Sequence, residues 1–126
     1  MKHSKILVVE DEKDLNDAYY TILHSVGYEV VTAFNGKEAL EYIEREGDPD
    51  LILLDLRMPV LDGIGFLERY DSSKHTKTSI ILFSNYEAPQ EVDKAFKLGA
   101  ERYVLKSLAS PKELIRMVEA TLAQKG

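Results

Sequence analysis

Short apolar runs that stop at a charge alternate along this chain with segments whose apolar residues recur every three or four positions, and few architectures accommodate that alternation. Runs of strand length separated by helical periods predict a parallel sheet, since parallel neighbours need a crossover and a helix usually supplies it. Five such repeats can be counted. Lys5 to Glu10 reads as the first strand, Glu29 to Phe34 as the second and Asp50 to Leu56 as the third. Ser79 to Phe83 and Arg102 to Leu105 are the fourth and fifth. The third is apolar from Leu51 to Leu54, as a central strand covered on both faces must be. The expected fold is α/β, a doubly wound sheet with helices on both faces.

Helix boundaries are marked by chemistry. Leu15, Ala18, Tyr19, Ile22, Leu23 and Val26 form one apolar stripe, and Gly27 follows as a left-handed stop. Tyr19 and Tyr20 belong to the packing of that helix and its margin. Asn35 precedes Glu38 in a capping arrangement, and the helix through Ala39, Leu40 and Ile43 ends near Gly47. Asp62-Gly63 opens a third helix with Ile64, Phe66, Leu67 and Tyr70, and Pro89 suits the first turn of a fourth, through Val92, Ala95 and Phe96 to Gly99. Ser110-Pro111-Lys112-Glu113 is the clearest helix start, with cap, first-turn proline and capping glutamate together; Leu114, Ile115, Val118, Thr121 and Leu122 follow. Asp71 to Thr78 is expected to be polar loop. His3, His24 and His75 lack metal-ligand spacing and are expected to be solvated.

At 126 residues the chain fits one domain, 1–126, with no room for a second and no visible linker or output domain. No apolar run could span a bilayer, Met1-Lys2-His3-Ser4 does not resemble a signal peptide, and cysteine is absent, so a reducing, cytoplasmic setting is expected. A formal net charge of -6 disfavours direct contact with nucleic acid or an anionic membrane, and points to protein partners.

Ligands of open α/β sheets gather beyond the carboxyl ends of the strands. Those exits here carry Glu10-Asp11, Phe34-Asn35, Asp55, Ser84 and Lys106. If the first and third strands are neighbours, three carboxylates converge and repel one another. A divalent cation preferring hard oxygen ligands, together with Lys106, would offset them.

The pair Glu10-Asp11, the segment Leu53-Leu54-Asp55-Leu56-Arg57-Met58-Pro59 leading to Asp62-Gly63, Ser84 after a strand, and Tyr103-Val104-Leu105-Lys106 occur in order. From about Lys5 to about Leu122 the chain resembles a receiver domain of two-component signalling, the response-regulator or chemotaxis-Y-like family. The resemblance implies a flavodoxin-like (βα)5 sandwich with strand order 2-1-3-4-5. It implies a phosphorylation-activated switch, not a turnover enzyme, in which Asp55 accepts a phosphoryl group from a histidine kinase or histidine phosphotransfer protein. Mg2+, or Mn2+ in its place, would be held by Asp11, by Glu10 through water, by Asp55 and by the backbone carbonyl of Arg57. Lys106 would pair with the phosphoryl group and Ser84 would donate a hydroxyl hydrogen bond to it. Ser84 and Tyr103 would form the switch, altering the surface of the fourth helix, fifth strand and fifth helix for a downstream protein target or a phosphorylation-dependent homodimer.

Taken singly, these residues have ordinary explanations. Asp11 or Asp62 could cap a helix, Ser84 could sit in a turn, Lys106 could be a solvated amine, and Tyr103 a half-buried strand aromatic. Asp55 is harder to dismiss, because a carboxylate ending a buried run is costly. Some positions depart from the common family pattern. Glu10 stands where aspartate is usual, and Asn85 replaces a small residue, where it would crowd the phosphoryl site or bond to it. Ser107 replaces a proline preceded by a cis bond, which without proline costs about 2.5–4 kcal/mol, so the peptide is either held cis by its surroundings or trans. Arg57 and Tyr86 are both large at positions that control water access, which implies slow loss of phosphate. Two rivals stand beside this reading: a flavodoxin-like nucleotide or flavin binder, disfavoured by the acidic Glu10-Asp11-Glu12 loop, and a receiver-like interaction module that is never phosphorylated.

Overall fold

The computed structural model describes residues 4–85 and 88–124. The readings made for Met1-Lys2-His3 and for Tyr86 lie outside the described residues. Strands β1 (Lys5–Val9), β2 (Glu29–Ala33), β3 (Leu51–Leu54), β4 (Ser79–Ser84) and β5 (Arg102–Leu105) alternate with helices α1 (Lys13–Ser25), α2 (Gly36–Glu46), α3 (Gly63–Tyr70), α4 (Pro89–Lys97) and α5 (Pro111–Ala123). All neighbouring strands are parallel, in the order β2-β1-β3-β4-β5.

Period-two alternation divides the core into two layers. Leu7, Val9, Ile52, Leu54, Ile80 and Leu82 face α2, α3 and α4, where Ala39, Phe66, Leu67, Tyr70 and Ala95 close over them. Ile6, Val8, Leu51, Leu53, Ile81 and Phe83 face α1 and α5, against Tyr19, Leu23, Leu114 and Val118. Each central strand is therefore apolar on both sides, which explains the continuous runs.

The helix ends follow local chemistry closely. Asn35 Oδ1 accepts from Glu38 N at 2.9 Å while Glu38 Oε1 accepts from Phe34 N at 2.8 Å, so the start of α2 is held from both directions. Ser110 caps α5 through Glu113 N. Asp62 caps α3 through Gly65 N at 2.8 Å, which selects the ordinary explanation for that carboxylate. Gly27, after α1, has φ of 101°, as a left-handed stop requires.

Three expectations are corrected. The third strand ends at Leu54 and not at Leu56, because pairing with β1 and β4 stops there; Leu56 stays fully buried, and its carbonyl accepts from Gly63 N at 3.0 Å. The segment after α3 contains a 3₁₀ turn, Ser72–Lys74, pinned by Ser72 Oγ to the carbonyl of Leu98 at 2.9 Å. His75 is not a solvated side chain: its Nδ1 lies 2.7 Å from Asp48 Oδ2 and its ring stacks on Tyr70 at 4.1 Å. His24 is exposed, as expected, and stacks on Tyr20.

Candidate functional site

Parallel pairing aligns the ends of the central strands. Val9 of β1 is in register with Leu54 of β3, so the next residues, Glu10 and Asp55, emerge side by side at one edge. Main-chain bonds carry this alignment one step beyond the strands, from Asp55 N to Val9 O at 3.1 Å and from Glu10 N to Ala33 O at 3.0 Å. Glu10, Asp11 and Asp55 each bring a carboxylate oxygen within 4.8 Å of the others. β4 and β5 end on the same edge with Ser84 opposite Leu105, which delivers Lys106 to the crevice.

Lys106 neutralises part of the cluster. Its Nζ donates to Asp55 Oδ2 at 2.9 Å and forms an ion pair with Glu10 Oε1. Asp55 Oδ1 accepts from the backbone N–H of Arg57 at 3.2 Å, and Glu10 Oε2 from that of Glu12 at 3.0 Å. The ammonium and both carboxylates are almost withdrawn from water, their side chains at most 9% exposed. Burial pushes the Glu10 carboxyl above its ordinary range, against the pull of the Lys106 ammonium and the Glu12 amide. Burial alone would pull Lys106 down, but its bonds to Glu10 and Asp55 outweigh it and hold the amine above its usual value. With three carboxylates against one ammonium the crevice keeps an excess of negative charge. That donor set, oxygen only and partly pre-assembled, suits a hard divalent cation.

Residues 6–119 match the family model described as the response regulator receiver domain. The chain belongs to the response regulator receiver domain family. Among curated relatives, the probable transcriptional regulator ycf27 of Porphyridium aerugineum is 36% identical over 97% of this chain and 49% of its own length. The alkaline phosphatase synthesis transcriptional regulatory protein PhoP of Bacillus subtilis (strain 168) is 38% identical over 95% of the chain and 49% of its own length. The chain thus spans about half the length of the curated relatives it matches. Among solved structures, a CheY-like receiver domain protein from Methanospirillum hungatei JF-1 superposes with a TM-score of 0.90 at 26% identity, over 98% of this chain and 96% of that one. Vibrio cholerae chemotaxis protein CheY4 gives 0.84 at 27% identity, over 94% and 98%. The flavodoxin-like receiver fold expected from the motifs is the one found.

Within this receiver domain Glu10, Asp11, Asp55 and Lys106 come together, and Ser84 is buried as the last residue of β4. The exposed Arg57 side chain places Nη2 3.7 Å from Glu91 Oε1 on α4, while its backbone N–H donates to Asp55 Oδ1. Tyr103 is partly buried and packs on the α2–α4 side of the core. Asp11 does not cap α1, whose N-cap residue is Glu12. No peptide bond among the described residues is cis, so Lys106–Ser107 is trans and begins a 3₁₀ turn, Lys106–Leu108. Asn85 is exposed, and its Oδ1 accepts from Ser107 N at 3.0 Å.

One contributor escaped sequence reasoning. Asn16 is 1% exposed, and its Nδ2 donates to the carbonyls of Glu10 at 3.0 Å and Ala33 at 3.2 Å, fastening the exits of β1 and β2 together. The available signal was an amide in step with Tyr19 and Leu23 on the buried face of α1.

Proposed function

We propose that Asp55 is the phosphoryl acceptor of this receiver domain, and that the chain is a switch set by a phosphohistidine on a sensor histidine kinase or histidine phosphotransfer protein. The observation that carries this is a buried aspartate at a strand exit, already held in place by Lys106 at 2.9 Å and by Arg57 N at 3.2 Å, beside two further carboxylates. An Asp55 carboxylate oxygen would attack phosphorus, the P–N bond would break with its electron pair leaving on the imidazole, and an acyl phosphate would result.

Glu10, Asp11, Asp55 and the carbonyl of Arg57 are the groups suited to hold Mg2+, or Mn2+ in its place. When bound, the cation supplies positive charge to the equatorial oxygens of the group in transfer. Lys106 is the resting counter-charge of Asp55 and is near enough to exchange one oxygen partner for another without leaving the crevice. As a compact charge on a flexible stem, it would follow the phosphoryl oxygens. Ser84, at the end of β4, would donate its hydroxyl to the same group. The loop after β4 and Tyr103 of β5 would then rearrange, and α4, β5 and α5 would present a changed surface to a downstream protein or to a second copy. The phosphoryl group can drive that change only by as much as it prefers the rearranged state.

A chain without cysteine suits a reducing, cytoplasmic setting; among the described residues no helix is long and apolar enough to cross a membrane. The chain acts as one receiver unit with no turnover of its own. Incubation with acetyl phosphate and Mg2+ followed by intact-mass measurement tests the assignment. Wild type gains one phosphoryl group and Asp55→Asn gains none. Equal labelling of the two proteins, or no labelling of wild type, rejects it and favours a module that signals by binding alone.

A further inference from the structure

Asn85 and Ser107 directly follow Ser84 and Lys106, and they are bonded to each other through Asn85 Oδ1 and the Ser107 amide at 3.0 Å. The bond lies one step beyond the point where β4 and β5 part, since Ser84 and Leu105 are the last pair in register. Main-chain pairing cannot continue there, because the chain tightens into the 3₁₀ turn Lys106–Leu108. The first amides of such a turn have no partner inside it, and Leu105 at its N-cap supplies no side-chain acceptor. Asn85 supplies one from the neighbouring strand exit. A backbone amide only donates, so the oxygen end of the asparagine must be the one that faces it. The bond needs an acceptor side chain at 85 and any residue but proline at 107: proline would offer no hydrogen, and alanine at 85 no acceptor.

We propose that Asn85 is a positioning residue for Lys106: by holding the Ser107 amide it anchors the turn from which the ammonium reaches Asp55 and Glu10, and ties that turn to the loop leaving Ser84. The stem of a lysine has a fixed length, so which oxygens its ammonium can reach depends on where its backbone is held. The consequence for phosphoryl transfer rests on the function proposed above, where small misplacements of a charged group lower the rate.

The test has two arms. In the first, nuclear magnetic resonance follows Ser107 amide exchange and the buried ammonium signal of Lys106 in wild type, Asn85→Ala and Asn85→Asp. A neutral hydrogen bond is worth about two- to tenfold in an equilibrium, so Ser107 exchange should quicken by about that factor in Asn85→Ala, with broadening of the Lys106 signal. Asn85→Asp, which keeps an acceptor oxygen, should retain the protection. In the second arm, Asn85→Ala slows labelling by acetyl phosphate by about two- to tenfold without weakening Mg2+ half-saturation, and slows it no further in a Ser107→Pro background. Unchanged Ser107 exchange, an unchanged Lys106 signal, or an equal slowing in both backgrounds overturns the proposal. A wild type that takes no label refutes the function above, while the first arm still decides the positioning.

Discussion

Lys106 illustrates how one side chain can hold together a site that would otherwise come apart. Its ammonium is shared between Glu10 and Asp55, all three nearly out of water, so deleting it leaves two buried carboxylates facing each other. Removing one partner of a buried ion pair costs about 3 kcal/mol or more. Lys106→Met should lower unfolding stability by roughly that amount in the absence of divalent cations, and millimolar Mg2+ should restore most of the loss, measured by urea denaturation with and without the metal. An equal deficit under both conditions would mean that the carboxylates are not the source. Glu10 gives the complementary case. Burial raises its folded value above the ordinary carboxylate range, so the native chain keeps this proton to higher pH than the unfolded chain does. The associated stability is therefore complete below the ordinary carboxylate range and is lost as pH rises through the folded value. Glu10→Gln removes that loss. Its urea midpoint should therefore fall less than that of wild type as pH rises from the carboxylate range to neutral, and an equal fall in the two proteins would contradict the assignment.

Among the elements, α3 sets the back wall of the site through a glycine. A Cβ at Gly63 would lie 2.5 Å from the carbonyl oxygen of Asp55 and 2.8 Å from Leu56 Cα, both backbone atoms that cannot yield cheaply. Gly63→Ala should cost about 1–3 kcal/mol in urea denaturation and, by displacing the Asp55 backbone, should also slow labelling by acetyl phosphate. At the exposed Gly47 a Cβ meets nothing within 4 Å but its φ of 92° strains any alanine, so Gly47→Ala should also lose stability while leaving labelling unchanged, which makes it the control for the second effect. What was legible in the sequence at this scale was whatever is written locally. The Asn35, Asp62 and Ser110 caps depend on residues three positions away, and the apolar runs of β1, β3 and β4 declare burial on both faces. The far end of β3 was not legible, because Leu56 is as buried as a strand residue while its pairing has already ended. The links from Asn16 to Glu10 and Ala33, from His75 to Asp48 and from Asn85 to Ser107 join residues that the chain brings together only after the sheet exists. Polarity at each position was visible; the partner was not.

On the scale of the whole molecule, the sheet aligns repulsive charge at one edge above a core built mainly of apolar side chains. The carboxylates followed from the strand exits, whereas the strand order that makes them adjacent came through family resemblance, since periodicity does not encode which strands are neighbours. Gathering Glu10, Asp11 and Asp55 with a single lysine is unfavourable in the isolated chain, and a bound cation relieves it only in the folded state, because the unfolded chain scatters those oxygens. Metal binding should therefore appear as global stability. At ten times the dissociation constant the gain is about 1.4 kcal/mol. For a domain of this size that corresponds to a rise in Tm of about 5 °C. Thermal melts of wild type in Mg2+ should show such a shift, reversed by EDTA. Asp11→Asn should lose most of it while folding normally, and lowering the pH through the carboxylate range should diminish it in wild type, since protons compete for the same oxygens. A shift that persists undiminished in Asp11→Asn would place the metal away from the strand exits and would separate cation binding from the chemistry assigned to Asp55.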